Sequence, residues 1–239
     1  MKVLSLDTSA RTATVAIVED GKIISEYSVV TNTHSTTLLP MIESAMDYSG
    51  IKANDIDLYA VSVGPGSFTG IRIGVSTIKG LAFVNNTPCV GVSALEAMAE
   101  NLRGIEGIIV PAIDARRDMV YTAIFKSDKV GNLTRITDDS QIAISELFDL
   151  LGEYSSDSIY FTGDAYDKLV SRDGLPPNIA ATPQKLRSQS ASGVAAAALR
   201  IWNESNDKSS FTDTALMPVY LKKSQAERER EERIAANNN

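Results

Sequence analysis

Four places in the 239-residue chain carry residue types that could do chemistry. Asp7 in "LSLDTS" and Asp114 in "PAIDAR" each close an apolar, strand-like run. Two carboxylates facing each other from strand ends could hold a magnesium-bound nucleotide. Each could equally cap its own turn, because an Asp side chain accepts hydrogen bonds from backbone groups two residues on. Arg116 and Arg117 follow Asp114 and suit either an anionic ligand or an ion pair across the turn. "GPGSFTG", residues 64–70, joins a strand pattern to a helical one. The first N–H groups of a helix point outward unpaired and can cradle a phosphate, although the same glycines also suit a plain tight connection. No lysine follows where a Walker loop needs one. The dinucleotide fingerprint is missed too: the third glycine arrives one residue late, and Asn85 and Asn86 replace the expected acid.

The chain has one histidine, His34, and one cysteine, Cys89. A Ser–His–Asp or Cys–His arrangement therefore has a single candidate base, and a zinc site of the usual His and Cys type cannot be assembled. The pattern H-E-x-x-H is absent. His34 sits in "NTHSTT", a loop entering a helix, which points to a capping or interface role.

The elements that must position these residues come in two similar sets. Strands are expected at 2–7, 11–18 and 22–30, with "EDGK" turning the hairpin. A helix at 36–48 carries Leu38, Met41, Ile42 and Ala45 at helical spacing. A strand at 58–63, a helix at 67–84, a strand at 89–92 and a helix at 94–102 follow. Placing "VLSLDTSARTATVAIVEDGK" from Val3 above "VPAIDARRDMVYTAIFKSDK" from Val110 puts Asp7 on Asp114, Ala16 on Ala123 and Ile17 on Ile124 without a gap. "NLTRITDDSQIAI" supplies a third strand. A helix at 145–151, a strand at 159–162 and helices at 165–172 and 191–204 complete the second set. The expected fold is α/β: a duplicated two-lobe architecture, each lobe a mixed sheet of βββαβα type flanked by helices, with a ligand-binding cleft between. The first lobe covers 1–104, with a C-terminal helix of about 212–239 packed back onto it, and the second covers 105–211. Within that tail, Lys223–Glu227 and Glu229–Arg233 are i,i+4 pairs worth about 0.3 kcal/mol each. The tail reads as a solvated helix along the first lobe or as a contact for RNA or a partner.

On the helix from 67 to 84, Gly70, Ile73, Gly74, Thr77 and Leu81 form one stripe, and Ile71, Val75, Ile78 and Ala82 form another. One stripe suffices to cover a sheet. Each interior glycine costs about 1 kcal/mol relative to alanine, so Gly74 and Gly80 imply a close approach, by a partner or by the same lobe. With the face carrying Leu38, Met41, Ile42 and Ala45, the glycine stripe is the expected partner surface.

Composition narrows the setting. Hydrophobic residues make 44% and charged residues 22%, as in ordinary globular chains. The net charge of −7 offers no basic field for free binding to nucleic acid, so any RNA would meet positive surface on a partner. No apolar run approaches the roughly 20 residues of a membrane span. Asp7 falls too early for a signal-peptide core. The lone cysteine suits a reducing cytoplasm.

"LSLDTS", "HSTTLLPMI", "VGPGSFTGIRIGVSTIKGLA", "GVSALEAMA", "AIDARRDMVY" and "PVYLKKSQAERE" together resemble the TsaB family, the bacterial tRNA threonylcarbamoyladenosine biosynthesis proteins. That family is related in fold to actin-like (ribonuclease H-like) ATPases and was once described as glycoproteases. The resemblance covers most of the chain in order. It implies a non-catalytic heterodimer partner of TsaD, the larger relative that carries the metal and transfers the carbamoyl group to the adenine beside the tRNA anticodon. A TsaE-like ATPase and tRNA would join only through the complex, with ATP or ADP and a metal held mainly by the partner. Self-association of the lone chain stays open. Asp7, Thr8, Ser9, Gly64, Gly66, Ser67, Asp114, Arg116 and Arg117 become nucleotide- or partner-proximal loop residues. Where TsaD carries two metal-binding histidines as "HMEGH", this chain has "ALEAM", with Ala94 and Met98 at the ligand positions, and neither binds a hard cation. "FTGDA" offers only Gly163 where actin-like kinases use a glycine-rich turn for adenosine. A free-standing kinase or ATPase of the actin-like fold is the alternative; a third, a zinc glycoprotease, is opposed by the single histidine.

Overall fold

The computed structural model describes residues 1–31 and 33–221. Strands β1 (Lys2–Asp7), β2 (Thr12–Glu19) and β3 (Lys22–Val30) form an antiparallel set. Asp20 and Gly21 turn its hairpin with positive φ, the twist that suits adjoining strands. Helix α1 (His34–Ser49) crosses to β4 (Leu58–Gly64), and α2 (Phe68–Asn85) carries the chain on to β5 (Cys89–Ser93). The sheet order is β3-β2-β1-β4-β5, and β4 and β5 run parallel to β1, which only such crossovers permit. Helix α3 (Ala94–Glu100) leads to the second sheet. There β6 (Gly107–Asp114), β7 (Met119–Thr122), β8 (Phe125–Ser127), β9 (Leu133–Arg135) and β10 (Ser140–Ala143) precede α4 (Ile144–Leu151), β11 (Ile159–Thr162), α5 (Tyr166–Val170) and β12 (Ile179–Ala180). Its order is β10-β7-β6-β11-β12, with β8 joining β6 to β9.

Three expectations need correction. The third strand of the second lobe is two short strands, because the turn-forming Thr137–Asp138–Asp139 stretch interrupts it. The ungapped superposition of the halves slips after the first strand: Asp7 pairs with Thr14 but Asp114 with Val120, so the second turn is one residue tighter. Helix α6 (Ala191–Glu204), grouped by sequence with the second lobe, packs on the first sheet. That sheet has two apolar faces. Leu4, Leu6, Val15 and Ile17 face α1 and α2, while Val3, Ala16, Leu58 and Val90 need a second cover. The alanine-rich face of α6 supplies it at close range: a Cβ on Gly193 would collide with the carbonyl of Ala97, and Ser5 donates to the Ala191 carbonyl at 2.7 Å.

The chain then runs back along β4 and β5. Phe211 accepts from the Cys89 N–H at 3.1 Å, the Val219 N–H donates to Val63 at 2.8 Å, and Leu216 is buried in the first core. Through Leu221 this segment is turn and extended chain rather than the start of a helix, as Pro218 disfavours helix at Met217. The predicted Lys223–Glu227 and Glu229–Arg233 pairs lie outside the described residues. Among the described residues no helix is long and apolar enough to cross a membrane.

Candidate functional site

The predicted loop residues fall into two groups, one on each lobe. In the first, the turn after β1 docks on the start of α2. Asp7 is 0% exposed: its Oδ1 accepts from the Ser9 N–H at 2.7 Å and the Ser9 hydroxyl at 2.6 Å, and its Oδ2 accepts from Ser62 at 2.5 Å. Burial pushes its carboxyl above the ordinary range, against the pull of the Ser62 and Ser9 hydrogen bonds. Thr8 donates to the Gly70 carbonyl at 2.8 Å, and the Ser67 N–H donates to the Ser9 carbonyl at 2.6 Å. His34, the first residue of α1, joins this knot through Nε2 at 2.8 Å from the Ala10 carbonyl. The ring ties helix to turn within the lobe; the N-cap position of α1 is Thr33, and no side chain caps that end.

The glycine loop is filled by the chain itself. Gly64 and Gly66 have positive φ, and Cβ atoms there would collide with the carbonyls of Val219 and Ser9. Ser67 caps α2 by accepting from the Gly70 N–H at 3.3 Å. Of the two readings of "GPGSFTG", the tight connection is the one realised. Sequence gave no direct sign of Ser62 as the clamp on Asp7, although a hydroxyl in the doubly covered strand "LYAVSVG" needs a buried partner.

The second group surrounds Asp114. Lys168 Nζ lies 2.8 Å from Asp114 Oδ1, the Arg116 N–H donates to the same oxygen at 2.9 Å, and Asp114 itself donates its N–H to Asp164 at 2.9 Å. Partial burial pushes the Asp114 carboxyl up, but Lys168 and the Arg116 N–H outweigh it and hold it below the ordinary range. Arg116, Arg117 and Asp118 all take positive φ, and Asp118 pairs with Arg172. Arg116 and Arg117 are exposed at the turn tip.

Each acid finds its hydrogen-bond partners in its own lobe. Asp7 has both oxygens engaged inside the first lobe, and Asp114 answers to its own lobe's lysine. Ala94 and Met98 are fully buried. Among the described residues no three His, Cys, Asp or Glu side chains are grouped to hold a metal. The residues present do not fit a magnesium–nucleotide held by this pair. Gly163 has φ +104, and a Cβ there would collide with the Ala112 carbonyl, so backbone packing accounts for it. A cavity of about 550 Å³ lies between β3, the end of α3 and the start of α6, lined in part by Glu26, Glu100, Lys185 and Gln189 and by none of the predicted site residues. Cys89 is buried under the C-terminal segment, and burial drives its thiol up to about 11, far from a reactive thiolate.

The expected partner surface is also corrected. Leu38, Met41, Ile42 and Ala45 are buried in the first core with Leu6 and Val15. Gly74 faces inward: a Cβ there would lie 2.5 Å from Thr8 Oγ1 and 3.0 Å from Leu6 Cδ1, and one at Gly70 would collide with the Thr8 carbonyl. The close approach is made by the same lobe. Ile73, Thr77 and Leu81 are half-exposed, and a Cβ on Gly80 would meet nothing.

Comparison with known proteins decides the family. The model of the TsaD family, described as tRNA N6-adenosine threonylcarbamoyltransferase, matches residues 22–237. The tRNA threonylcarbamoyladenosine biosynthesis protein TsaB of Bacillus subtilis (strain 168) is 34% identical over 154 residues, covering 64% of this chain and 67% of that protein. TsaB of Escherichia coli (strain K12) is 36% identical over 133 residues, 55% of this chain and 58% of that protein. The chain belongs to the TsaD family, in its TsaB branch. The solved structure of YeaZ from Pseudomonas aeruginosa superposes with a TM-score of 0.74 at 24% identity, covering 92% of this chain and 99% of that one. It carries the two-lobe α/β fold expected from the sequence.

Proposed function

We infer that the chain is a non-catalytic subunit in tRNA threonylcarbamoyladenosine biosynthesis, working in the cytoplasm beside a TsaD-like transferase that holds the metal and the nucleotide. One observation carries this reading: the acid at the end of β1, where a magnesium–nucleotide would need a free carboxylate, is 0% exposed and accepts three hydrogen bonds from Ser9 and Ser62. A chain without that acid has no chemistry of its own at the cleft, and its contribution must be made through another protein. The TsaE-like ATPase and the tRNA then act through the complex, consistent with the net charge of −7.

The outward stripe of α2 supports a docking role. Gly80 has no neighbour to explain it inside the lobe, Phe83 and Val84 are about three-quarters exposed beside it, and Leu39 of α1 is half-exposed. A paired interface buries about 800 Å² per side, within reach of two helices of this length. Arg116 and Arg117 remain the open, cationic part of the second lobe for a partner or its nucleotide.

Reconstitution tests the function. With the transferase, the ATPase, tRNA, ATP and a preformed activated threonylcarbamoyl donor present, modified adenosine is expected only when this chain is added, and the lone chain should hydrolyse neither ATP nor peptide. Full modification in its absence would overturn the subunit role, and ATP turnover by the isolated chain would return the kinase reading.

A further inference from the structure

Helix α3 stands between the two lobes and belongs to both. Leu95, Met98 and Leu102 pack with Ile109, Ile113 and Phe125 of the second lobe, while Ala97, on the other side, packs with α6 and the first sheet. A helix apolar on several sides is a buried spine. Its first-turn acid, Glu96, is nevertheless only 12% exposed. Two guanidinium groups account for it. Arg135, at the end of β9 in the second lobe, lies 3.0 Å from Glu96 Oε2, and Arg200 of α6, on the first sheet, pairs with Oε1.

The pairing extends on both sides. Arg135 also holds Asp139 at 2.6 Å, and its guanidinium sits 4.6 Å above the Phe125 ring. Ser93, the residue that caps α3 from the end of β5, donates to Asp139 at 2.6 Å. A second tie runs from Asn101 to the Ser188 carbonyl at 2.9 Å, where the chain crosses back toward α6. A change in the angle between the lobes shifts α3 against the second lobe or against the first sheet, and so pulls Glu96 away from Arg135 or from Arg200, and Ser93 away from Asp139. An exposed ion pair resists such motion weakly. A partly desolvated cluster resists it strongly, because each broken contact leaves a buried charge uncompensated. Hinged closure needs connecting residues free to change conformation, and here they are engaged.

We propose that Glu96, Arg135 and Arg200, with Asp139 and Ser93, form an ionic clasp that holds the two lobes at one fixed angle. The chain is then a rigid body whose cleft neither opens nor closes, a property independent of which partner it serves. The measurement is the distance between spin labels on the two lobes of the full chain, at Tyr48→Cys and Val130→Cys in a Cys89→Ala background; both sites are more than four-fifths exposed. The expected result is a single narrow distance distribution, unchanged by millimolar Mg-ATP. Glu96→Ala should at least double its width, and Glu96→Gln, which keeps the shape but not the charge, should fall between. Should Glu96→Ala fail to fold, Arg135→Met and Arg200→Met carry the test, and each should broaden the distribution. A broad distribution in the parent chain, or an unchanged width in a folded Glu96→Ala or Arg135→Met chain, overturns the clasp.

Discussion

Asp7 and Asp114 end the first strand of each lobe and meet opposite surroundings. Asp7 has hydroxyl and amide donors but no cation among its hydrogen-bond partners, and burial favours its protonated form. Asp114 has Lys168 and stays ionised further into acid. The signs of their linkage to stability follow. For Asp7 the folded value lies above the unfolded one, so the native state holds the proton more tightly, and stability is regained as pH falls from the raised value toward the ordinary carboxylate range. For Asp114 the folded value lies below, and its contribution is lost as pH falls through it. Asp7→Asn removes only the first effect. The melting temperature of the parent minus that of Asp7→Asn should therefore rise as pH is lowered from 7 toward 4; a difference that stays flat or falls would show that Asp7 is ionised in the fold at no cost. Lys168→Met should act in the other direction, narrowing the gap between neutral and acidic stability. Residue identity made both acids visible as candidates. It could not show which would be sealed, since Ser62 lies 55 positions from Asp7 and Lys168 lies 54 from Asp114.

At the scale of elements, helix α2 separates what periodicity can show from what it cannot. Its limits and its two apolar stripes are local properties, set by spacing around the helix, and were legible. Which stripe meets the sheet depends on what stands opposite, and here small residues meet the turn after β1: Gly70 and Gly74 are inward because Thr8 needs their space. The same limit hid α6, whose Ala-rich face gives no sign of which sheet it covers, and the segment from Phe211 to Leu221, which pairs with β4 and β5 across long sequence separations. Two substitutions distinguish the faces. Gly74→Arg forces a long charged side chain against Thr8, Leu6 and Val61, costing about 3 kcal/mol or more and leaving little folded protein. Gly80→Arg meets open space, and a residue with better helix propensity than glycine should hold or slightly raise the melting temperature. If α2 docks a TsaD-like partner outward, Gly80→Arg should abolish co-elution with that partner while the monomer melts normally. Unchanged co-elution would move the docking surface elsewhere, and a well-folded Gly74→Arg would mean that the inward packing of α2 is wrong.

For the whole molecule, the proposed reading makes another protein the ligand of two lobes joined through α3. That has a thermodynamic signature, because whatever binds the native state raises the melting temperature by mass action. Mg-ATP at millimolar concentration should leave the melting temperature of the lone chain unchanged, since Asp7 offers it no free carboxylate and Gly163 is pressed against Ala112. A TsaD-like partner at a hundredfold excess over its dissociation constant should add about 2.7 kcal/mol, which for a chain of this size is a rise of about 5–10 °C. Unfolding of this chain alone can be followed in the mixture through a dye at Val130→Cys, an exposed site on the second lobe and distant in sequence from α2. The two arms fail separately. A shift with Mg-ATP alone would mean that Asp114 and its neighbouring arginines bind nucleotide without Asp7, while the absence of a shift with a partner that co-elutes would overturn docking through the outward face of α2.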